Sequence, residues 1–304
     1  VPGISAPFRC AWRCARPGSA SAGAIVVLIP AARSKSSSGT ALASGYLVRR
    51  MREQWERREQ AEAQVGAFQR ELEIARELQE AFVHVEPPHL PGLALGARVV
   101  TEYGIGGDMV DYVPIRGGLV VAVADVAGHS LPAALVAARL THELEEAGLG
   151  VPLENVLDDW NRSIYHRMPP EVFVTAAVVH INLGDGRSRY AAAGHPPPIL
   201  WRADAGEISI LAETGPALGI FEDAQFGLRD VVLNPGDVLL LYTDGAVEAR
   251  AADGGFLGTE GLARLLCRHA GFTPQEIVDR ITDDIAAGYE VRDDMTLVAI
   301  TRET

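Results

Sequence analysis

Four acidic residues stand where the chain switches from one pattern to another. They are Asp108 in Gly106-Gly107-Asp108, Asp125 after the run Val120-Val121-Ala122-Val123-Ala124, Asp244 in Tyr242-Thr243-Asp244-Gly245, and Asp293 in Arg292-Asp293-Asp294-Met295-Thr296. Each abuts a stretch of strand character, so a compact sheet structure could gather the carboxylates at one edge. A carboxylate at the mouth of a buried strand is poorly solvated unless positive charge meets it, and the 120–124 run carries no Lys or Arg. Gathered carboxylates repel one another until divalent cations neutralise them, and hard oxygen donors select Mg²⁺, Mn²⁺ or Ca²⁺ over zinc. Two such ions about 3.5–4 Å apart would activate a water for phosphoryl chemistry. Taken singly, each motif is a weak signal and reads more readily as an ordinary turn or strand end; it is their common position beside strands that sets the four apart.

Other candidates are weighed against plainer roles. The imidazole of His129, in Gly128-His129-Ser130, could protonate a leaving alkoxide, and a turn histidine bonded to backbone is the equal alternative. His195, in Gly194-His195-Pro196, is expected to shape a turn between two strands, and Asp111, three residues past Asp108, to be a solvated strand end. Cys10, Cys14 and Cys267 have no His or Asp neighbour to activate a thiolate. Their odd number and irregular spacing give neither a disulfide framework nor a zinc signature, and a reducing cytoplasm is the simplest compartment.

The elements that would position these residues follow from periodicity. Strands are expected over 93–100, 109–115, 120–124, 172–183, 187–192, 199–202, 207–211, 228–233, 238–242 and 295–301. Helices are expected over 131–147, 153–168, 259–270 and 274–288. Strand runs interrupted by paired helices indicate a layered α+β sandwich and not a Rossmann alternation. Upstream, residues 46–83 are rich in helix formers, with Ala61, Val65, Phe68, Leu72, Ala75, Gln79 and Phe82 in three-four alternation. A coiled-coil seam and a single amphipathic helix fit this pattern about equally; a dimerising or signal-relaying helix is favoured. Pro87-Pro88 and Pro91-Gly92 end it. The expected organisation is thus an extension over 1–45, a helical linker over 46–86 and a main domain over 87–304.

Charge is uneven. Residues 1–58 hold ten Arg/Lys against two Glu, whereas the whole chain has a net charge of −13. An acidic main body argues against a nucleic-acid partner. Residues 1–45 lack Asp and Glu and are rich in Ala, Ser, Gly, Pro and Arg. A targeting peptide is the alternative to check, but a disordered extension, or sequence upstream of a start at Met51, is expected. The longest early apolar run, residues 24–29, is too short to span a bilayer.

The ordered motifs Gly106-Gly107-Asp108-Met109-Val110-Asp111, Ala124-Asp125-Val126-Ala127-Gly128-His129-Ser130, Ala193-Gly194-His195-Pro196-Pro197-Pro198, Tyr242-Thr243-Asp244-Gly245-Ala246-Val247-Glu248-Ala249-Arg250 and Asp293-Asp294-Met295-Thr296 carry a further implication. Together they resemble the SpoIIE/RsbU-like branch of the bacterial PPM-type (protein phosphatase 2C superfamily) serine/threonine phosphatases, over about residues 75–301. The resemblance implies two antiparallel β-sheets flanked by helices, preceded here by the coiled-coil-like helix. It also implies two divalent cations, Mn²⁺ or Mg²⁺, and direct attack of a metal-activated water on phosphorus. By position Asp125 would bridge both ions with the Val126 carbonyl beside it, Asp108 would sit on one ion, and Asp244 and Asp293 would complete the other. Asp294 is the alternative to Asp293. The chain departs from the family pattern at Met109-Val110, where an aromatic pair is common, at Ser130, where glycine is usual, and over 101–105. None of these removes a ligand position.

The implied activity is dephosphorylation of phosphoserine or phosphothreonine on a regulatory protein such as an anti-sigma-factor antagonist, by a cytoplasmic homodimer joined through the N-terminal helix. Two other classes stand beside it: a catalytically weak phosphoprotein-binding module, and a two-metal hydrolase of small phosphoesters.

Overall fold

The computed structural model describes residues 49–60, 86–101, 106–128, 131–147 and 153–303. The chain divides into two compact units, Val1–Ala61 and Glu62–Thr304. The described part of the first is a helix, α1 (residues 49–60), whose residues are all exposed. Arg49–Glu53 and Arg52–Glu56 pair along it at 3.4 Å, which stabilises a helix only weakly. The 1–45 extension, the seam from Ala61 to Phe82 and His129 lie outside the described residues.

The second unit begins with β1 (Leu93–Val100), β2 (Asp108–Ile115) and β3 (Gly118–Val126), then α2 (Leu131–Ala147) and α3 (Leu153–Arg167). Next come β4 (Val174–Asn182), β5 (Arg187–Ala193), β6 (Ile199–Arg202), β7 (Glu207–Ile210), β8 (Arg229–Val232) and β9 (Val238–Tyr242). The remainder is α4 (Asp244–Val247), β10 (Arg250–Ala251), α5 (Gly258–His269), α6 (Pro274–Gly288), β11 (Tyr289–Glu290) and β12 (Met295–Arg302). One five-stranded sheet runs β1-β12-β9-β6-β7 and the other β2-β3-β4-β5-β8, with β10-β11 as a separate ribbon. Every pairing between named strands is antiparallel.

Three apolar layers hold the unit together, and strand alternation assigns residues to each. Leu119, Val121 and Val123 of β3 meet Leu239 and Leu241 of β9 and Val298 and Ile300 of β12 between the sheets. Val120, Ala122, Ala124 and Val126 face the other way, onto Ala137 and Leu140 of α2 and Trp160 of α3. Val238, Leu240 and Tyr242 pack outward against Leu262 and Leu266 of α5 and Ile277 and Ile281 of α6. Both faces of β3 are therefore covered, which is why its sequence is a continuous apolar run instead of an alternating one.

The expected bounds coincide with the structure at β1, α2, β6, β9 and α6. The α6 start is fixed by a capping box, in which Thr273 accepts from the Glu276 amide and Pro274 stands at the first turn. The short α4 and the β10-β11 ribbon fall outside the sequence expectations; at four and two residues they are too short to show a period. At the Asn234-Pro235-Gly236-Asp237 turn a buried acid has a purely architectural use. Asp237 accepts from Arg202 at 2.7 Å and from the amides of Ala203 and Asn234 at 2.9 Å each.

Candidate active site

The inter-sheet rows end in polar residues of the same parity. Counting by two, Val110 and Tyr112 lead back to Asp108, Val121 and Val123 lead on to Asp125, and Val179 leads back to Thr175. From the facing sheet, Leu239 and Leu241 lead on to Thr243, and Ile300 and Val298 lead back to Thr296. Asp108 opposes Asp125 in the β2-β3 ladder, and Asp125 opposes Thr175 in the β3-β4 ladder. One end of the core is thus capped by a row of oxygens across three strands, met by two threonines from the other sheet.

Asp108 ties the sheets together. Its Oδ2 accepts the Thr296 hydroxyl at 2.6 Å and the Thr243 hydroxyl at 2.8 Å. The Thr296 amide in turn donates to Thr243 Oγ1 at 2.9 Å. Asp108 is 3% exposed, and burial, then the Asp125 charge, hold its carboxyl well above the usual carboxylate range against the two hydroxyl bonds. Asp294 is also buried and accepts from the Gly107 amide at 3.2 Å. Asp293 beside it is exposed, with its Oδ1 receiving the Asp294 amide at 2.9 Å.

Like charge accumulates around Asp125. Burial, then Asp244, Asp293 and Asp294, push its carboxyl up to about 7. Asp244, the first residue of α4, is raised by burial and by Asp293 and Glu248. Backbone oxygens join the carboxylates at Gly107. The point where a Cβ at Gly107 would stand is 2.5 Å from the Val126 carbonyl oxygen, 3.2 Å from Asp125 Oδ1 and 3.3 Å from the Gly128 carbonyl oxygen. Any side chain there would fill an oxygen-lined notch, so the position requires glycine. These donors are hard oxygens throughout, the kind that suits Mg²⁺ or Mn²⁺. Among the described residues no three His, Cys, Asp or Glu side chains stand as a group that could by themselves hold a metal ion. The set therefore fits divalent cations in donor type and in the closeness of Asp125 to Asp244, Asp293 and Asp294.

Asp108, Asp125, Asp244 and Asp293 all reach this neighbourhood, and the Val126 carbonyl lines the notch. Asp111 does not behave as expected: it is 1% exposed, with Oδ1 accepting the Tyr112 amide at 2.7 Å. Its parity matches Met109 and Val113 on the face covered by helices, so burial under that layer replaces the solvated strand end. His195 is 1% exposed, and its Nδ1 lies 2.8 Å from Thr175 Oγ1. Thr175, Thr243 and Thr296 are absent from the residues that sequence reasoning singles out, although two of them lie inside quoted motifs. Extending each strand's period-two row by one step would find them.

A family model for Stage II sporulation protein E (SpoIIE) matches residues 115–303, well over half of the chain. The chain belongs to the SpoIIE family. It is a bacterial PPM-type protein serine/threonine phosphatase. Among SpoIIE-family relatives, the phosphoserine phosphatase RsbU of Bacillus subtilis (strain 168) is 28% identical over 236 residues, covering 77% of this chain and 70% of that protein. The crystal structure of the RsbU and RsbW domains of Rv1364c from Mycobacterium tuberculosis is 30% identical, with a TM-score of 0.62 over 73% of this chain and 63% of that one. The SiaA-PP2C domain of Pseudomonas aeruginosa, 21% identical, shares the fold with a TM-score of 0.68 over 80% of this chain and 99% of that domain. The two stacked antiparallel sheets are those of the PP2C fold, as the motifs implied.

Proposed function

We propose that this SpoIIE-family phosphatase is metal-dependent and removes phosphate from phosphoserine or phosphothreonine on a regulatory protein of a sigma-factor pathway. The observation that carries this reading is the convergence of Asp108, Asp125, Asp244, Asp293 and the Val126 carbonyl at one end of the inter-sheet gap. Asp244, Asp293 and Asp294 are close enough to Asp125 to add to the proton affinity that burial gives it, and Asp125 does the same to Asp108. The similarity to RsbU, a phosphoserine phosphatase, supports the substrate class.

Asp108, Asp125, Asp244, Asp293 and the Val126 carbonyl would hold two divalent cations, Mn²⁺ or Mg²⁺. When bound, such ions supply a water acidified for attack and positive charge for the phosphoryl oxygens. The rest falls to the chain. Asp108 keeps its Oδ2 committed to Thr243 and Thr296, so that its other oxygen is aimed by two fixed bonds. Asp294 supports the Gly107 notch through its bond to the Gly107 amide, and Asp293 is taken as the ligand of the pair. His129, four residues beyond Asp125 in the chain, is assigned the protonation of the leaving serine or threonine oxygen. The main domain is assigned residues 87–304, and the upstream helix dimerisation of a cytoplasmic protein; no helix among the described residues is long and apolar enough to cross a membrane.

Phosphate release from p-nitrophenyl phosphate and from a phosphoserine protein, with and without Mn²⁺, tests the reading. Mn²⁺-dependent turnover of both, abolished by Asp125→Asn, is expected. No turnover on either, with Asp125→Asn binding phosphoprotein as the parent does, would leave a binding module in its place. Turnover of the aryl phosphate alone would point to small phosphoesters.

A further inference from the structure

His195 bonds Thr175, the ladder partner of Asp125, and lies against the backbone of Tyr242, two residues before Asp244. Gly194, at φ +60°, turns the chain out of β5, and a Cβ there would stand 2.6 Å from the Ala217 amide nitrogen, so only glycine can make this turn. The turn carries His195 from one sheet toward β6 in the other. The ring is 1% exposed. Its Nδ1 bonds Thr175 Oγ1 at 2.8 Å, while Nε2 is enclosed and completes no hydrogen bond of ordinary length and angle. Burial pushes the imidazole down to about 3, and the backbone at Tyr242 and Thr175 only partly opposes this. It is therefore neutral at any physiological pH.

Its neighbours lie beside two of the acids: one on β4, next to Asp125 of β3, and one at the end of β9, which leads to Asp244. Thr175 is the ladder partner of Asp125. Tyr242, whose backbone acts on the ring, ends β9 immediately before Thr243 and Asp244. As packing alone, an imidazole is a poor choice here. It gives up two hydrogen bonds to water and regains one, where an aliphatic side chain of similar size would leave no nitrogen unmet. What imidazole adds is direction, since a bond from a rigid ring fixes the Thr175 rotamer and the separation of the strand ends. The ring has no open path to the gap, so proton transfer to a substrate is not its role.

We propose that His195 is a positioning residue: clamped between Thr175 and the end of β9, it sets the spacing of the strand ends that carry Asp125 and Asp244. The inference rests on the phosphatase reading only for the use made of that spacing.

Hydrogen exchange by mass spectrometry on the metal-free full chain tests the clamp without reference to catalysis. Thr175→Val, which keeps the shape and deletes the hydroxyl, and His195→Ala are each expected to speed exchange over residues 120–128 and 238–247 by about tenfold, with α5 and α6 unchanged. The double variant should exchange no faster than His195→Ala alone. His195→Asn, which offers a polar atom near the Nδ1 position, should return to within about threefold of the parent. Parental exchange rates in Thr175→Val, acceleration spread evenly over α5 and α6, or fully additive effects in the double variant would each overturn the proposal. In turnover of p-nitrophenyl phosphate, Thr175→Val should raise the Mn²⁺ concentration needed for half-activity about tenfold; an unchanged requirement would break the link to the site. Absence of Mn²⁺-dependent turnover in the parent would instead defeat the functional reading and leave the exchange result to decide the clamp.

Discussion

Replacing Asp125 by Asn should stabilise the metal-free protein, and should do so only above a defined pH. The parent carboxyl is raised from 3.8 to about 7 by burial and by Asp244, Asp293 and Asp294. Slightly more than three pK units correspond to a ceiling of about 4 kcal/mol at 1.36 kcal/mol per unit. Asp125 is part-exposed at the mouth of the gap, so solvent and relaxation reduce this to roughly 2–3 kcal/mol. The sign follows from which state keeps the proton. Below pH 4 the carboxyl is protonated in both folded and unfolded chains and contributes nothing. Between pH 4 and 7 the unfolded chain releases the proton while the folded one retains it, so stability falls as pH rises. Above pH 7 both are ionised and the loss is constant. Asp108 and Asp244 are raised too and act in the same direction.

An asparagine side chain cannot ionise, so the variant lacks this share of the loss. Urea denaturation in EDTA, followed by circular dichroism from pH 4 to 8, should give parent and variant curves that nearly coincide at pH 4. By pH 8 they should separate by roughly 2–3 kcal/mol in favour of the variant. Mn²⁺ at a hundredfold excess over its dissociation constant should then return about 2.7 kcal/mol to the parent and little to the variant. A separation independent of pH, or a variant less stable than the parent at pH 8, would refute the picture of a carboxylate held against its neighbours' charge.

Other residues yield separate expectations. Thr296→Val and Thr243→Val each remove a hydroxyl bonded to Asp108 and should cost about 1–3 kcal/mol in urea denaturation; a loss below about 0.5 kcal/mol in both would mean that the cross-sheet bonds do not hold Asp108. Gly245→Ala would press a methyl group into the backbone carbonyl oxygen of Asp294, which cannot swing aside, and should lower stability by roughly 1–3 kcal/mol together with turnover of p-nitrophenyl phosphate. Parental stability and turnover would show the backbone there to be free to shift. Asp237→Ala leaves the Arg202 charge and two amides unmatched and should cost about 3–5 kcal/mol. Turnover per folded molecule should stay at the parental level, and its loss would place Asp237 in the catalytic machinery.

How legible the site was depended on which physical cue each residue left. Asp108, Asp125, Asp244 and Asp293 stand out as candidates because each lies beside a strand, and strand ends on one side of a sandwich share an edge. The strands were legible for a related reason. Runs such as Val120 to Ala124 are apolar at every position only when both faces are covered, which already specifies a layer on each side. Asp111 misled because a charged residue beside a strand terminus usually meets water, whereas its parity puts it with Met109 and Val113 under the helical layer. Only the placement of helices over β2 shows this, and that is long-range information.

Thr175 illustrates the deeper limit. In sequence it is an ordinary residue of an apolar strand, and nothing local distinguishes it from Thr301. Its significance comes from the register that sets it opposite Asp125 and from a turn at Gly194 that delivers His195 to its hydroxyl. The acids that would meet the metal each leave a local trace because a charge at a strand end is costly. The groups that aim them are neutral, cheap to bury once bonded, and so leave none. In a site of this kind, chemistry can be read along the chain, whereas alignment of the chemistry resides in contacts between residues far apart in it.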